Sequence, residues 1–334
     1  TFAIIILIIL VILIIVLASS SSSSSGDEKE KNYTDEDIIG KIQCKYLIEV
    51  SKVNILGNEF VKESAFDIEI DGKKIKYSKE YEFSKYGEQN ITFLIYNDLN
   101  MNNMFKDVSS LTSITMISEK NAKITSMNSA FENCKHLTSI NITGFNLDDL
   151  KSMHKLFYKS GLTSFNQKYL DTKNLLDISY MFAETSIETI DLSVLNTNKV
   201  TNMSHLFENC NSLYDVNLLE IKTDELKDMS YMFEGCGILT SLDISNFSTP
   251  KLENMSSMFK NCLILDSIDI SNLNTKNVKD MSFLFENSYS LKKIILNNVD
   301  TSNVENMACM FKGCTSLHSL DISSFDTEKV KNMT

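Results

Sequence analysis

A methionine recurs at a nearly constant interval through most of this chain: Met101, Met127, Met153, Met203, Met229, Met255, Met281, Met307 and Met333, with Ile178 in the same slot. The step is 26 residues, except for two steps of 25 on either side of Ile178. Self-similarity at a period of roughly 20–50 residues marks a solenoid. A unit too small to bury its own apolar face stacks on its neighbours, and the interior is shared.

Four residues after each of these positions up to Met307 comes a phenylalanine, from Phe105 and Phe131 through Phe233 and Phe259 to Phe311. Residues i and i+4 share one face of a helix. The residue before the methionine is Asn, Asp or Ser, as at Asn202, Asp228 and Asn254, and these are good helix N-caps. Two residues past the phenylalanine stand Asn133, Asn209, Gly235, Asn261, Asn287 and Gly313, types that accept the left-handed conformation ending a helix. The spacing therefore predicts a helix of about two turns in each unit. Leu239, Leu242 and Ile244 follow, matched by Leu265, Ile268, Ile270 and by Leu317, Leu320, Ile322. This is the L-x-x-L-x-L spacing of a leucine-rich repeat, and its alternation predicts a short strand. Phe247, Thr249 and Leu252 make the return loop. The expected fold is an α/β solenoid of about nine leucine-rich repeats, each of about 26 residues with a short helix plus a short parallel strand.

The segments MSYMFEGCGILTSLDIS (229–245) and MACMFKGCTSLHSLDIS (307–323) resemble the BspA-like leucine-rich-repeat surface proteins, of the Met-x-x-Met-Phe-x-x-Cys type. The resemblance runs from about Asn100 to the end of the chain. It implies surface exposure and, for some members, adhesion to host or matrix proteins, without naming a ligand. The repeats at 153–202 drift from the pattern, with Gln167 in an inward slot.

The flanking sequence divides the rest. Residues 1–18 include an unbroken apolar run, Phe2–Ala18, close to the roughly 20 residues a membrane span needs. It is expected to be a transmembrane anchor, with a cleaved signal segment as the other option. Residues 19–32 are a serine tract with an acidic tail, too polar to order itself by burial, and so a flexible tether. Residues 33–98 alternate in period two, as in Ile42, Cys44, Tyr46, Ile48, which predicts a small all-β domain. Asp71-Gly72 between two such runs predicts a type I′ hairpin. Because Ile91–Tyr96 leads directly into the first repeat, this domain is expected to cap the solenoid at 99–334. The chain starts at Thr1 and stops at Thr334 in mid-pattern, so we expect it to be a fragment of something longer.

Net charge is −12 and every basic residue is lysine. Binding to nucleic acid needs excess cation to neutralise phosphate, so such a partner is not expected. The column Cys134, Cys210, Cys236, Cys262, Cys314 has Ser160, Thr185 and Ser288 in its other members. It lacks the converging ligands of a metal site and is expected to hold free, buried thiols. The histidines fall in unrelated slots, and no nucleophile–base constellation or phosphate-binding loop can be assembled. We expect no enzyme activity, no cofactor and no metal. N-x-S/T sequons at Asn32, Asn90, Asn141, Asn202, Asn246, Asn254 and Asn332 are glycosylation candidates if the chain enters a secretory pathway.

One column remains for contact with a partner. The outward centre of the strand carries Asn141, Asp191, Asn217, Asp243, Asp269 and Asp321, and beside it run Ser245, Ser271 and Ser323. This polar ladder is the candidate binding face, although a merely solvated sheet would look the same. The expectation from sequence is a membrane-anchored cell-surface repeat protein, secreted if residues 1–18 are cleaved. It would bind or adhere to a protein ligand on another cell, host or matrix. The alternative is a passive surface coat or antigenic stalk without a dedicated partner.

Overall fold

The computed structural model describes residues 33–167 and 170–334. The chain divides into two units after Asp37. Of the first, residues 33–37 are described and hold one short 3-10 turn, Asp35–Asp37. Everything below concerns the second unit, 38–334.

That unit opens with strands β1 (Gly40–Ile48), β2 (Lys52–Asn54), β3 (Phe66–Ile70), β4 (Lys73–Ile75), β5 (Glu80–Glu82) and β6 (Gly87–Ile95). Along β1 burial alternates strictly, with Ile42, Cys44, Tyr46 and Ile48 inward. Asp71 and Gly72 turn β3 into β4 with φ of 51° and 71°, the pair of positive values that a type I′ turn requires. The repeats contribute β7 (Leu99–Asn100), β8 (Leu111–Ile117), β9 (Ile124–Ser126), β10 (Ser139–Thr143), β11 (Thr189–Asp191), β12 (Asp215–Asn217), β13 (Ser267–Asp269) and β14 (Lys293–Ile295).

One sheet crosses from the first part into the second. Its order is β10-β8-β1-β6-β3-β4. Strand β1 lies antiparallel to both β6 and β8, and β8 lies parallel to β10. The edge of the first repeat is thus paired by β1, which shields its backbone groups from strand addition.

The repeats form a β-solenoid of about eight turns with almost no helix, not the α/β solenoid expected. The departure sits in the Met-x-x-x-Phe segment. In one coil the amides of Met203, His205, Phe207 and Asn209 donate to Asp228, Ser230, Met232 and Glu234 of the next coil, over 2.6–2.9 Å. The intervening Leu206, Glu208 and Cys210 donate back three residues, to Met203, His205 and Phe207. An α-helix would send every one of these amides back four residues. Instead, two four-residue turns follow each other, and His205 and Asn209, with φ of 58° and 55°, occupy their third positions, where a type II turn requires positive φ. The same two slots are left-handed in every coil, from Asn103 and Asp107 to Cys309 and Gly313. A left-handed L-residue costs about 1–2 kcal/mol, which the bonds between coils and the packing below them offset.

Two sequence signals pointed to a helix for a physical reason. Met203, Leu206, Phe207 and Cys210 are all fully buried, and spacing 0, 3, 4, 7 is also that of an amphipathic helix. The Asn or Asp before the methionine does bond a nearby amide, as in Ser204 N–H to Asn202 Oδ1 at 3.0 Å and Ser230 N–H to Asp228 Oδ1 at 2.8 Å. It caps a turn instead of a helix.

Inside, the phenylalanines form one continuous stack. From Phe105 to Phe311 successive rings lie 5.5–6.1 Å apart and within 23° of parallel. Phe93 of β6 meets Phe105 edge-on at 5.6 Å, so the core of the first part continues into the solenoid. Met229 and Phe233 are fully buried, and Leu242 packs against the same core while half-buried.

Among the described residues no helix is long and apolar enough to cross a membrane. The expected transmembrane helix, and with it the single-pass placement with the repeats outside, therefore finds no support in the described residues. Phe2–Ala18, on which both expectations rested, lies outside the described residues.

Candidate protein-binding face

The polar column begins as a product of strand geometry. In Thr189–Asp191, Ile190 points in and Asp191 out, and Ser267-Ile268-Asp269 repeats the arrangement. Parallel pairing sets Asp191 beside Asn217 and Asp269 beside Ile295. Asn141, Asp191, Asn217, Asp243, Asp269 and Asp321 are all exposed. Ser245 and Ser323 are exposed as well, and Ser271 is half-buried.

Each carboxylate has a local task. Asp191, Asp243, Asp269 and Asp321 accept the amide of the residue two further on, Ser193, Ser245, Ser271 and Ser323, at 2.9–3.0 Å. Asn217 does the same for Leu219 at 3.2 Å. These are Asx turns, in which the side chain copies a backbone acceptor; Asp191, Asn217 and Asp269 end strands, whereas the strands expected around Asp243 and Asp321 do not form. Ser323 adds its hydroxyl to Asp321 at 2.6 Å. The hydroxyl and then the amide of Ser245 and of Ser323 hold the carboxyls of Asp243 and Asp321 below the usual range. Asp243 and Asp321 are therefore anionic in water, and each of the four aspartates engages its Oδ1 in the turn.

The face is not continuous along the chain. Asn141 belongs to the six-stranded sheet, whereas Asp191 and Asn217 sit in a separate short one. Between them the Gln167 side chain takes the place of a strand: its amide donates to the Ile140 carbonyl, and its oxygen accepts the Ile142 amide at 2.9 Å. Gln167 is the inward residue of the drifting repeats, and 8% of it is exposed. Nearby, the shortened coil runs so close to its neighbour that a Cβ on Gly161 would lie 2.1 Å from the Lys135 carbonyl oxygen.

Two further columns escaped the sequence reading. Buried threonines tie coil to coil: the Thr223 hydroxyl accepts Ser248 N–H and donates to Ser248 O, both at 2.8 Å, and Thr301 treats Asp326 alike at 2.7 and 2.9 Å. Thr249, in the expected return loop, belongs to this column: its hydroxyl accepts Asn274 N–H at 2.9 Å. Outside, Tyr180, His205 and Tyr231 stack at 4.1 and 4.4 Å, and Glu208 takes the His205 Nδ1 contact at 2.8 Å. Both columns fall two or more residues from the methionine–phenylalanine frame, and His205 and its neighbours vary too much in type to stand out as a repeat.

The cysteine slot holds free thiols. Cys134, Cys210, Cys236, Cys262 and Cys314 each donate to the phenylalanine carbonyl of the preceding coil at 2.9–3.3 Å. Ser288 makes the same bond at 2.6 Å, which explains why serine can replace cysteine there. Burial pushes these thiols up, Cys210 to about 12. Among the described residues no group of three His, Cys, Asp or Glu side chains is placed to hold a metal ion.

The repeat pattern matches a protein family described as "Mycoplasma protein of unknown function, DUF285" over residues 78–189, 177–268 and 265–334. No curated protein and no solved structure matches the chain. The matched segments overlap end to end and take in β6 as well as every coil that follows it, so the chain belongs to the Mycoplasma family of unknown function DUF285.

Proposed function

We propose that this chain is a protein-binding scaffold, adhesive in character, whose partner is a protein of another cell, a host or a matrix. The observation that carries the reading is the exposed column Asp191, Asn217, Asp243, Asp269, Asp321 on a rigidly stacked support. Solenoids present extended surfaces of this kind to partners, and the BspA-like resemblance points the same way. The reading has no catalytic step and no cofactor. A partner surface rich in lysine or arginine suits these exposed aspartates.

A passive stalk is the second reading. It draws on the Asx turns, because each aspartate already has a structural reason to be where it is.

The two separate by pull-down with the full chain from matrix or host-cell protein. The scaffold reading expects saturable capture of one partner. Replacing Asp243, Asp269 and Asp321 together by Asn keeps the Asx-turn acceptor, as Asn217 does, while removing three charges. Capture should then weaken with the melting temperature unchanged. Undiminished capture by the triple variant would remove the strand face from the account, and no capture by the wild type would favour the stalk.

A further inference from the structure

The residue two before the repeat methionine forms a second outward column, Lys227, Glu253, Lys279, Glu305, Lys331. Its charge alternates at every coil. Backbone bonds hold it in register: Glu253, Lys279, Glu305 and Lys331 each donate to the preceding member of the column at 2.8–2.9 Å. Lys227, Glu253, Lys279 and Glu305 of this column line an open groove of about 780 Å³ together with Lys251, Asn277, Asn303 and Lys329. Some neighbouring opposite charges on this surface close on each other, Lys251 on Glu225 at 2.5 Å beside the column and Lys331 on Glu305 at 2.6 Å within it. Lys227, Glu253 and Lys279 are exposed and make no ion pair within the chain among the described residues.

Alternation alone has an internal cause, since like charges directly opposite in a sheet repel. It does not explain why three consecutive members stay unpaired. The geometry points to a second copy of this chain as the occupant of this face, docked antiparallel about a two-fold axis between the coils of Glu253 and Lys279. That axis sets Glu253 against Lys279 of the other copy, and Lys227 against the Glu305 carboxylate that Lys331 of its own chain also engages, each pair occurring twice, as an isologous contact requires. It also sets Lys251 against Asn277, a cation against an amide. A parallel docking without this offset would face like columns with like charges. The contact is electrostatic and exposed, so it is weak and salt-sensitive.

The test is sedimentation equilibrium of the full chain at low and high salt, with circular dichroism to confirm folding. The wild type should dimerise at low salt and dissociate at high salt. Lys279→Glu sets an introduced carboxylate against Glu253 of the other copy, and Glu253→Lys sets an introduced ammonium against Lys279 of the other copy. Each variant alone should dimerise about tenfold more weakly. Mixed in equal amounts, the two restore opposite charges at both contacts, and the dimer should return as a heterodimer. Glu253→Gln and Lys279→Gln remove charge without creating like neighbours and should give intermediate weakening if the reversed variants unfold. A wild type that stays monomeric at low salt would overturn the inference, as would variants that dimerise unchanged or a mixture that does not recover. The strand-face reading is untouched by any of these results, because its residues lie on another column.

Discussion

Thr275 holds Asp300 of the next coil by both of its backbone groups: the threonine hydroxyl accepts the Asp300 amide at 2.8 Å and donates to the Asp300 carbonyl at 2.8 Å. A side chain thereby does what a strand backbone does, in a corner where no strand runs. Thr275→Val keeps the shape and strands two backbone groups in a site that is 1% exposed. A loss of about 1–3 kcal/mol is expected, read as a lower urea midpoint at unchanged slope. Thr275→Ser, which keeps the hydroxyl, should lose about 1 kcal/mol for the buried methyl.

Gln167 is the same device at larger scale. Gln167→Leu leaves the Ile140 carbonyl and the Ile142 amide without partners, and about 1–3 kcal/mol is expected to go. The consequence should be local. Hydrogen exchange should speed at β10 and remain slow at β13 and β14, because a solenoid couples mainly nearest neighbours. Equal acceleration along the whole chain would show that the junction is not the weak link.

Much of this architecture was legible in the sequence. The period, the buried methionine–phenylalanine column, the alternation of β1 and the Asp71-Gly72 hairpin depend on side-chain spacing and φ preference, and sequence reports both directly. The conformation of the Met-x-x-x-Phe segment was not legible. Its apolar spacing is shared by a helix and by paired turns, and the left-handed third residue is Tyr231 in one coil and Phe283 in another, types that carry no turn signal. What selects the turns is the backbone of the next coil, a partner about 25 residues away. For the candidate face, sequence identified which residues point out. It could not show that each aspartate accepts the amide two residues on, that Gln167 interrupts the face, or that the unpaired lysines and glutamate lie on a different column.

The thiol column predicts a contrast. Cys262 donates to the Phe233 carbonyl at 3.3 Å, as Ser288 does to Phe259 at 2.6 Å. Cys262→Ser should therefore stay within about 1 kcal/mol of the wild type, and Cys262→Ala should cost about 1–3 kcal/mol through the orphaned carbonyl and the small void. Thermal denaturation of the two variants side by side decides it.

Alkaline pH should weaken the fold. Cys44, Cys134, Cys210, Cys236 and Cys262 are buried, and desolvation raises all five above their ordinary range. In the unfolded chain thiols ionise near pH 8.5, about one unit of pH being worth 1.4 kcal/mol per thiol. Above that pH the unfolded state has released protons that the folded state keeps. The stability contribution is complete below about pH 8.5 and is lost as pH rises towards 12, the value for Cys210. The melting temperature should be flat below that threshold and fall above it. A variant with serine at all five positions should fall less steeply.

The central claim is that the repeats are bonded to one another through their turns and not within helices. Phe207 tests it most directly. Its amide donates to Met232 of the next coil at 2.9 Å, while an α-helix would direct it to Met203. With selectively labelled protein, a nuclear Overhauser contact from the Phe207 amide to the Met232 α-proton is expected, together with slow exchange of that amide. A Phe207 amide that instead shows short-range helical contacts to its own coil, and none to Met232, would contradict the account.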